Sequence, residues 1–243
     1  MENLSLTRRR ALGLALAAPF IVRPVIAAAA TPVVVELFTS QGCSSCPPAD
    51  KLAAELMKQP GVIVMSLNVD YWDYLGWRDT LAKPEYTSRQ MDYAHSRGDQ
   101  DVYTPQMIIN GETHAVGSNQ AVVEKAIALA RRKAPSLALQ LSATEKELIV
   151  DVPKGEAGSE ATLWLMAIAP AVTVKIERGE NSGRSVTYHN VVRQLVPAGM
   201  WDGSATTLKL PRKGIITADS TSCVALLQKG KVGQVLGMAQ WHI

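Results

Sequence analysis

Outside its first 30 residues the sequence has no excess of charge of either sign, and this absence excludes one class of function. Residues 1–30 carry four of the 25 basic residues and one of the 22 acidic residues, so the rest of the chain holds 21 of each. A protein that binds nucleic acid needs a basic surface to face the phosphates, and a near-neutral chain does not provide one. We therefore expect no nucleic-acid partner.

Long apolar runs are also scarce. The most apolar stretch lies within residues 1–30, where Pro19, Arg23 and Pro24 interrupt it. A membrane-spanning helix needs about 20 apolar residues. We therefore predict that residues 1–30 are a signal peptide that is removed, and that the remaining chain makes no stable membrane insertion. An N-terminal anchor that is not cleaved is the alternative.

The same N-terminal segment has the pattern of a twin-arginine-type export signal. Arginines at positions 8–10 directly precede an apolar run over residues 11–18, and the small residues that signal peptidase prefers follow at 27–30. The pattern predicts a bacterial protein that is periplasmic or secreted. Disulfide bonds form and persist in those compartments.

Only three cysteines are present, and Cys43 and Cys46 are the only pair with close spacing. Cys223 lies in an apolar strand pattern, which favours a buried, unreactive thiol. As the odd cysteine of an exported protein, it leaves intermolecular pairing as an alternative. A zinc site needs four ligands, and no second pair has suitable spacing, so we predict no metal and no other cofactor.

Copper is a separate alternative. Two thiolates with a nearby methionine or histidine can bind Cu(I), and Met107, His95 and His114 are the candidates for that third ligand. Each of these residue types occurs more often as an ordinary core or surface residue.

The first half of the exported chain alternates β-branched apolar runs with amphipathic stretches. These patterns predict strands and helices in the order β-α-β-α-β-β-α, with residues 71–100 inserted before the third strand. Parallel crossovers of this kind predict an α/β thioredoxin-like domain over residues 31–134. The predicted strands are 33–38, 62–69, 106–109 and 113–116, and the predicted helices are 47–58, 84–96 and 119–133, the last capped by Ser118.

The second half, residues 135–243, shows little helical periodicity. Short apolar stretches recur with turn residues between them, which favours an all-β, sandwich-like C-terminal domain. The joint between the two domains is predicted near residues 133–136. The predicted strands are 137–141, 147–152, 161–168, 173–176, 185–196, 206–209, 222–228 and 232–239.

Cys43 and Cys46 form a CxxC motif where the first strand gives way to the first helix. The N–H groups of a helix's first turn stabilise a thiolate and lower its pKa. Cys43 is therefore the predicted nucleophile, and Cys46 is placed to resolve a mixed disulfide on Cys43. A static disulfide is the alternative, because the motif sets a geometry and does not by itself establish turnover.

Three further residues complete the predicted catalytic set. Thr104 and Pro105 precede the third strand, where a cis X–Pro bond presents a backbone edge to an extended substrate. Glu36 lies in the first strand and is the predicted buried acid that relays a proton near Cys46. A hydrogen-bonded strand carboxylate is the alternative role for Glu36. Asp50 is interpreted as a first-turn acid that the helix dipole favours.

Two other segments draw attention. Residues 70–79 concentrate aromatic and acidic side chains, which suits a substrate-facing loop near the CxxC motif or a loop that simply packs its aromatic rings. Residues 178–184 form a polar, glycine-bearing turn between strands, which we interpret as a hairpin turn. Anion binding and contact with the first domain are the alternatives for this turn.

Three blocks of the sequence resemble a known family of bacterial secreted proteins. The blocks are residues 36–50, which include both cysteines, residues 103–107, and residues 179–184 with 188–193. They are similar to the family catalogued as domain of unknown function 1223. The resemblance implies a thioredoxin-like domain with a β-rich C-terminal region, and it implies no established activity.

Together these features predict a thiol–disulfide oxidoreductase of the cell envelope that acts on protein thiols or disulfides, with a redox partner protein. The motif leaves open whether substrates are oxidised or reduced. The alternative is a non-catalytic thioredoxin-fold module that binds a protein partner or Cu(I) and carries a structural Cys43–Cys46 disulfide.

Overall fold

A computed structural model of the protein describes residues 32–133, 135, 137–156 and 160–243. The predicted signal peptide, residues 1–30, lies outside the described residues, as do residues 134 and 136 of the predicted joint. Across the described ranges, no helix combines the length and the apolar character that a membrane span requires.

The described residues form three α-helices, one short 3₁₀ helix and twelve strands. The helices are α1 (Pro47–Leu56), α2 (Pro84–Arg97) and α3 (Gln120–Arg131), and the 3₁₀ helix is Asp73–Leu75. The first six strands are β1 (Val33–Thr39), β2 (Val62–Asn68), β3 (Gln106–Ile109), β4 (Thr113–Val116), β5 (Leu137–Ala138) and β6 (Gln140–Ala143). The other six are β7 (Glu147–Val152), β8 (Ala161–Lys175), β9 (Ser185–Trp201), β10 (Thr206–Pro211), β11 (Ser222–Lys229) and β12 (Val235–His242).

Nine of the described strands form one mixed sheet, in the order β4-β3-β1-β2-β9-β8-β11-β12-β5. Strand β1 pairs in parallel with β2 and antiparallel with β3. Strand β2 then meets β9 in parallel at Ser66 and Val191, which joins strands from the two halves of the chain. The other three strands form a small sheet in the order β10-β7-β6.

The predicted fold class is therefore wrong. An α/β thioredoxin-like domain followed by a separate sandwich-like domain would need two independent sheets. The described residues are instead mostly β, and one curved sheet runs through both halves of the chain. The physical reason is the edge of β2, whose unpaired N–H and C=O groups need partners. The long strand β9 from the second half pairs with this edge at Ser66 and Val191, and no local pattern in the sequence predicts that pairing.

Most individual elements lie where the sequence predicts them, with two informative differences. The predicted strands 161–168 and 173–176 are one strand, β8, because Pro170 lies beyond the part of β8 that pairs with β11 and needs no ladder partner there. Helix α3 is capped by Asn119 and not by Ser118, since Asn119 Oδ1 accepts a hydrogen bond of 3.3 Å from the Val122 N–H.

The two faces of β1 carry different parts of the core, because side chains alternate along a strand. Leu37 lies in an apolar cluster with α1 and α3. Phe38 lies in a second cluster, with Tyr93 of α2. Glu36 therefore shares the face of α2, and Thr39 shares the face of α1.

The small sheet packs on the far end of the large one. Leu148 and Val150 of β7 lie in one apolar cluster with Leu165 of β8 and Cys223 of β11. Cys223 is fully buried, and burial raises the pKa of its thiol to about 12. The predicted burial of this thiol is confirmed, and its lack of reactivity stays a prediction.

Candidate functional site

Cys43 and Cys46 are joined by a disulfide bond at the start of α1. Cys46 is the residue that caps the helix, and prolines occupy its first two positions, where missing N–H groups remove no helical hydrogen bond. Ser44 and Ser45 between the cysteines are exposed. The cysteines themselves are 3% and 0% exposed, so the disulfide lies just beneath the surface.

The loop that leads into the CxxC motif is held by the inserted segment. Asp79 accepts hydrogen bonds from the Gln41 N–H (2.7 Å) and from Asn68 Nδ2 (2.9 Å). Gln41 Oε1 in turn accepts from Trp77 Nε1 (2.8 Å), and Gln41 Nε2 donates to Thr80 Oγ1 (3.1 Å). Burial raises the pKa of Asp79, and its hydrogen bonds oppose that shift. The aromatic and acidic segment therefore forms a wall of the site.

Trp72 connects this wall to the predicted Thr104–Pro105 element. Its Nε1 donates to Thr104 Oγ1 at 2.7 Å. A Cβ atom at Gly42 would lie 3.0 Å from Trp72 Cβ, so glycine permits the close approach of Trp72 to the residue before Cys43. The Thr104–Pro105 peptide is cis, as the sequence predicts, and the carbonyl of Pro105 accepts from the Gly117 N–H at 2.9 Å.

A hairpin tip from the second half of the chain covers the same loop. We call residues 176–184, between β8 and β9, the hairpin tip. Asn181 Nδ2 donates to the carbonyls of Gln41 (3.0 Å) and Cys43 (2.8 Å), and Glu180 Oε2 accepts from the Ser44 N–H (3.3 Å). The predicted hairpin turn is confirmed, and of its two alternative roles the structure shows contact with the first half of the chain.

Asp50 is the titratable group that α1 places beside the disulfide. It lies one helical turn after Cys46, and its own N–H donates to the Cys46 carbonyl (3.2 Å). Thr39 Oγ1 donates to Asp50 Oδ1 (2.8 Å), whereas Oδ2 has no partner among the described residues. Burial raises the pKa of Asp50 to about 7, the Thr39 hydrogen bond opposes the shift, and the charge of Asp79 adds to it.

Glu36 lies elsewhere, on the α2 face of β1. Its oxygens accept from Arg89 Nε (2.7 Å) and Arg89 Nη2 (3.1 Å), and also from the Tyr93 hydroxyl. Gln228 completes the cluster, since its Oε1 accepts from Arg89 Nη2 (2.6 Å) and its Nε2 donates to the Tyr93 hydroxyl (2.8 Å). Burial disfavours the Arg89 cation, but Glu36, Tyr93 and Asp92 together outweigh burial and leave the pKa of Arg89 raised. The structure therefore does not bring Glu36 to the disulfide.

A cleft of about 960 Å³ opens beside the disulfide, between α1 and β9. Pro47, Pro48 and Asp50 form part of its α1 wall, and His189 lies on its β9 wall. Asp50, whose Oδ2 has no partner among the described residues, lines this cleft, so the buried carboxyl lies next to a space that solvent can enter.

Of the alternative copper ligands, His114 lies on the face of the sheet that α2 covers. His114 pairs across the sheet with Ile108, a residue of the α2 face, and its Nδ1 lies 2.8 Å from the Tyr103 hydroxyl. Within the described ranges, the one group of three potential metal ligands is Asp99, Asp101 and His114, which includes neither cysteine. Within this group, the Asp99 carboxylate forms an ion pair with the neighbouring Arg97.

Sequence reasoning missed Asp50 and Asn181. The signal for Asp50 is its position four residues after Cys46 and three before Ala53, on the stripe of α1 that faces the core. Nothing local marks Asn181, because its role depends on a contact 138 residues away along the chain.

Fold and site together define a class: a mostly β protein with a disulfide at the start of its first helix, enclosed by an inserted aromatic segment and a distant hairpin tip. The chain belongs to the family described as protein of unknown function DUF1223, whose family model matches residues 34–228. The family predicted from the three sequence blocks is confirmed. No curated protein matches the chain.

Two solved structures are similar to this one. The crystal structure of protein AGR_C_4864 from Agrobacterium tumefaciens shares 32% identity and a TM-score of 0.77, over 89% of this chain and 96% of that chain. HBP35 of Porphyromonas gingivalis shares 14% identity and a TM-score of 0.60, over 89% of this chain and 76% of that chain. The second similarity concerns the fold alone.

Proposed function

We propose that the protein is a thiol–disulfide oxidoreductase of the cell envelope whose Cys43–Cys46 pair exchanges with protein thiols or disulfides. The observation that carries the proposal is the disulfide at the N-terminus of α1 with a buried, half-paired carboxyl, Asp50, one turn further along. The macrodipole of α1 places partial positive charge near the cysteines, which stabilises a thiolate, the reactive species in exchange. The export pattern of residues 1–30 supports the cell envelope as the location.

The exchange conserves atoms and electrons as follows. A partner thiolate attacks Cys43 Sγ, forms a mixed disulfide and releases Cys46 as a thiolate, which takes up a proton. A second partner thiolate attacks the partner's own sulfur of the mixed disulfide and releases the Cys43 thiolate. The partner loses two electrons and two protons and becomes a disulfide, and the protein becomes a dithiol. The reverse sequence reduces a partner disulfide.

Asp50 is suited to supply and recover the proton of Cys46 in these steps. A general acid works best when its pKa is near the working pH, and burial raises the pKa of Asp50 to about 7. Asp50 lines the cleft, and water that enters the cleft can exchange a proton with its unpaired oxygen. In this proposal Asp50 takes the role that the sequence assigned to Glu36.

One observation favours a second function, a binding module with a structural disulfide. Cys43 is only 3% exposed, and the hairpin tip is bonded to its carbonyl through Asn181. Exchange with a protein partner requires that the tip move away from Cys43. A disulfide that stays closed to thiols in the folded protein would favour the binding module.

The decisive experiment is redox titration of the folded protein with glutathione buffers, followed by mass spectrometry of alkylated thiols. We expect reversible conversion between disulfide and dithiol, and we expect Cys46→Ser to accumulate a mixed disulfide at Cys43. Cys43→Ser should trap none, and Cys223→Ser is the matched control that should behave as the wild type. A disulfide that glutathione and dithiothreitol leave intact under native conditions would reject the oxidoreductase and favour the binding module.

A further inference from the structure

The strand β9 leaves part of its backbone without a partner next to the disulfide. Over Ser185–His189 it pairs on one side with residues 171–175 of β8. On its other side the pairing with β2 is at Ser66 and Val191, and no other described strand pairs with residues 185–189. The stretch is therefore an open sheet edge inside the cleft between α1 and β9.

The hydrogen-bond pattern of the β8–β9 ribbon shows which groups point outward. The Ile176 N–H donates to the Arg184 carbonyl at 2.9 Å, so these two residues form a hydrogen-bonded pair. Such pairs alternate along an antiparallel ladder, so Ser185, Thr187 and His189 direct their N–H and C=O groups away from β8.

One contact supports this direction. The His189 carbonyl accepts a hydrogen bond from Ser66 Oγ at 2.8 Å, and Ser66 lies on the β2 side of β9. Among the described residues, the groups on this edge without a partner are the N–H and C=O of Ser185 and Thr187 and the N–H of His189.

We infer that this edge binds an extended segment of the substrate polypeptide by β-strand addition, an inference that rests on the proposed function and names its substrate class. Donors and acceptors that repeat every second residue over about 13 Å match an extended backbone and no compact small molecule. Backbone pairing recognises any extended chain, which suits a substrate defined by its cysteines and not by a sequence.

The cleft provides the room and the direction for such a segment. The α1 wall opposite the edge begins with Pro47 and Pro48, which carry no N–H group, and continues with the side chains of Lys51 and Glu55. Pro47 directly follows Cys46, and the hairpin tip that covers Cys43 directly precedes Ser185. A segment paired with β9 therefore runs past the disulfide, where its cysteine can meet Cys43.

The matched pair of variants comes from one cross-strand pair, Thr187 and Thr173. Thr187→Pro removes the N–H that faces the cleft. Thr173→Pro removes an N–H that faces the opposite edge of the same ribbon. Both variants lose the same hydrogen bond between the two threonine hydroxyls (2.8 Å), so their effects on folding are comparable.

The experiment measures binding of a fluorescein-labelled, cysteine-free extended peptide by anisotropy, to the oxidised wild type and to both variants. We expect Thr187→Pro to weaken binding about tenfold and Thr173→Pro to change it less than about twofold. The same peptide N-methylated at alternate residues should bind the wild type about tenfold more weakly, a readout that needs no variant to fold.

Equal peptide binding by the wild type and Thr187→Pro, or by both forms of the peptide, would overturn the inference. So would a wild-type dimer that Thr187→Pro dissociates without any peptide binding, because the edge would then hold a second copy of the chain. Peptide binding with the expected differences, but no exchange with glutathione, would keep the inference and reject the oxidoreductase.

Discussion

Two buried carboxylates lie on opposite faces of strand β1, and their surroundings differ in kind. Glu36 lies on the α2 face, where Arg89 and Tyr93 donate to both of its oxygens. Asp50 lies on the α1 face, where Thr39 donates to one oxygen and the other oxygen has no partner in the described part of the chain. A carboxylate paired with a guanidinium keeps its charge, whereas a carboxylate with a single hydroxyl donor is driven toward protonation.

The difference separates a residue that holds the fold from a residue suited to chemistry. The Glu36 cluster ties β1, α2 and β11 together through one ion pair and its hydrogen bonds. Asp50 contributes little to cohesion, and its buried position costs stability whenever it is ionised. The predictions below test this contrast from the largest expected effect to the smallest.

Removal of the Glu36 charge should cost most. Glu36→Gln leaves the Arg89 cation buried without its counter-ion, and such a loss typically costs about 3–5 kcal/mol of unfolding free energy. Urea unfolding followed by circular dichroism measures the loss of unfolding free energy. The control is Glu112→Gln at an exposed position, for which we expect a change within about 0.5 kcal/mol. A loss below about 1 kcal/mol in Glu36→Gln would show that the cluster does not hold the fold.

Replacement of Asp50 should instead remove a pH dependence. The pKa of Asp50 is about 7 in the folded protein and near its ordinary value in the unfolded chain, so the folded state binds the extra proton between these values. Wild-type stability should therefore fall as pH rises from about 4 to about 7, by up to roughly 4 kcal/mol from this group. Asp50→Asn should lack that component and be the more stable protein at pH 8.

Urea unfolding at intervals from pH 4 to pH 8 measures this difference. Because other carboxyls titrate in both proteins, the quantity that decides is the wild-type stability minus the Asp50→Asn stability at each pH. A difference that stays constant across this range would mean that Asp50 titrates as an ordinary surface acid.

Loss of a hydrogen-bond donor should also have different effects at the two carboxylates. Thr39→Val removes the donor that lowers the pKa of Asp50, so the pKa should rise further, by about one half to one unit. The pH dependence of disulfide reduction by dithiothreitol should then shift upward by that amount.

Tyr93→Phe is the matched variant on the α2 face. It removes a donor to Glu36 and should reduce stability by about 1–2 kcal/mol, but it should leave the pH midpoint of disulfide reduction unchanged. Equal shifts of the midpoint in the Thr39 and Tyr93 variants would erase the distinction between the two faces.

The smallest effect concerns access to the disulfide. Asn181→Ala removes the hydrogen bonds that hold the hairpin tip on Gln41 and Cys43, so reduction by dithiothreitol should become about fivefold faster. The control is Ser182→Ala, whose hydroxyl bonds only within the hairpin tip. An unchanged rate in Asn181→Ala would place the barrier to reduction elsewhere, for example at Trp72.

Local patterns predicted the elements well, for identifiable reasons. The β-branched run over residues 33–38, the prolines after Cys46 and the Asn110–Gly111 turn each favour one local conformation, and each element formed as expected. The merged strand β8 was missed because Pro170 was compatible with a break, and only the absence of a ladder partner there permits it to continue.

The role of Glu36 could not be predicted by the same means. Alternation along β1 does place it on the face opposite Leu37, but which helix covers which face depends on the crossovers and on packing. Its partner Arg89 lies 53 residues further along the chain, and Gln228, which bonds Arg89, lies another 139 residues beyond, so no local window contains them.

The sequence by itself determined the disulfide pair, the helix that begins at it, the family and most of the strands, because these follow from residue types at short spacing. Only the tertiary structure decided that β9 joins β2 in one sheet, that Asn181 covers Cys43 and that Asp50, not Glu36, lies beside the disulfide. Those contacts depend on long-range strand pairing, whose partners the periodicity of a single strand does not specify.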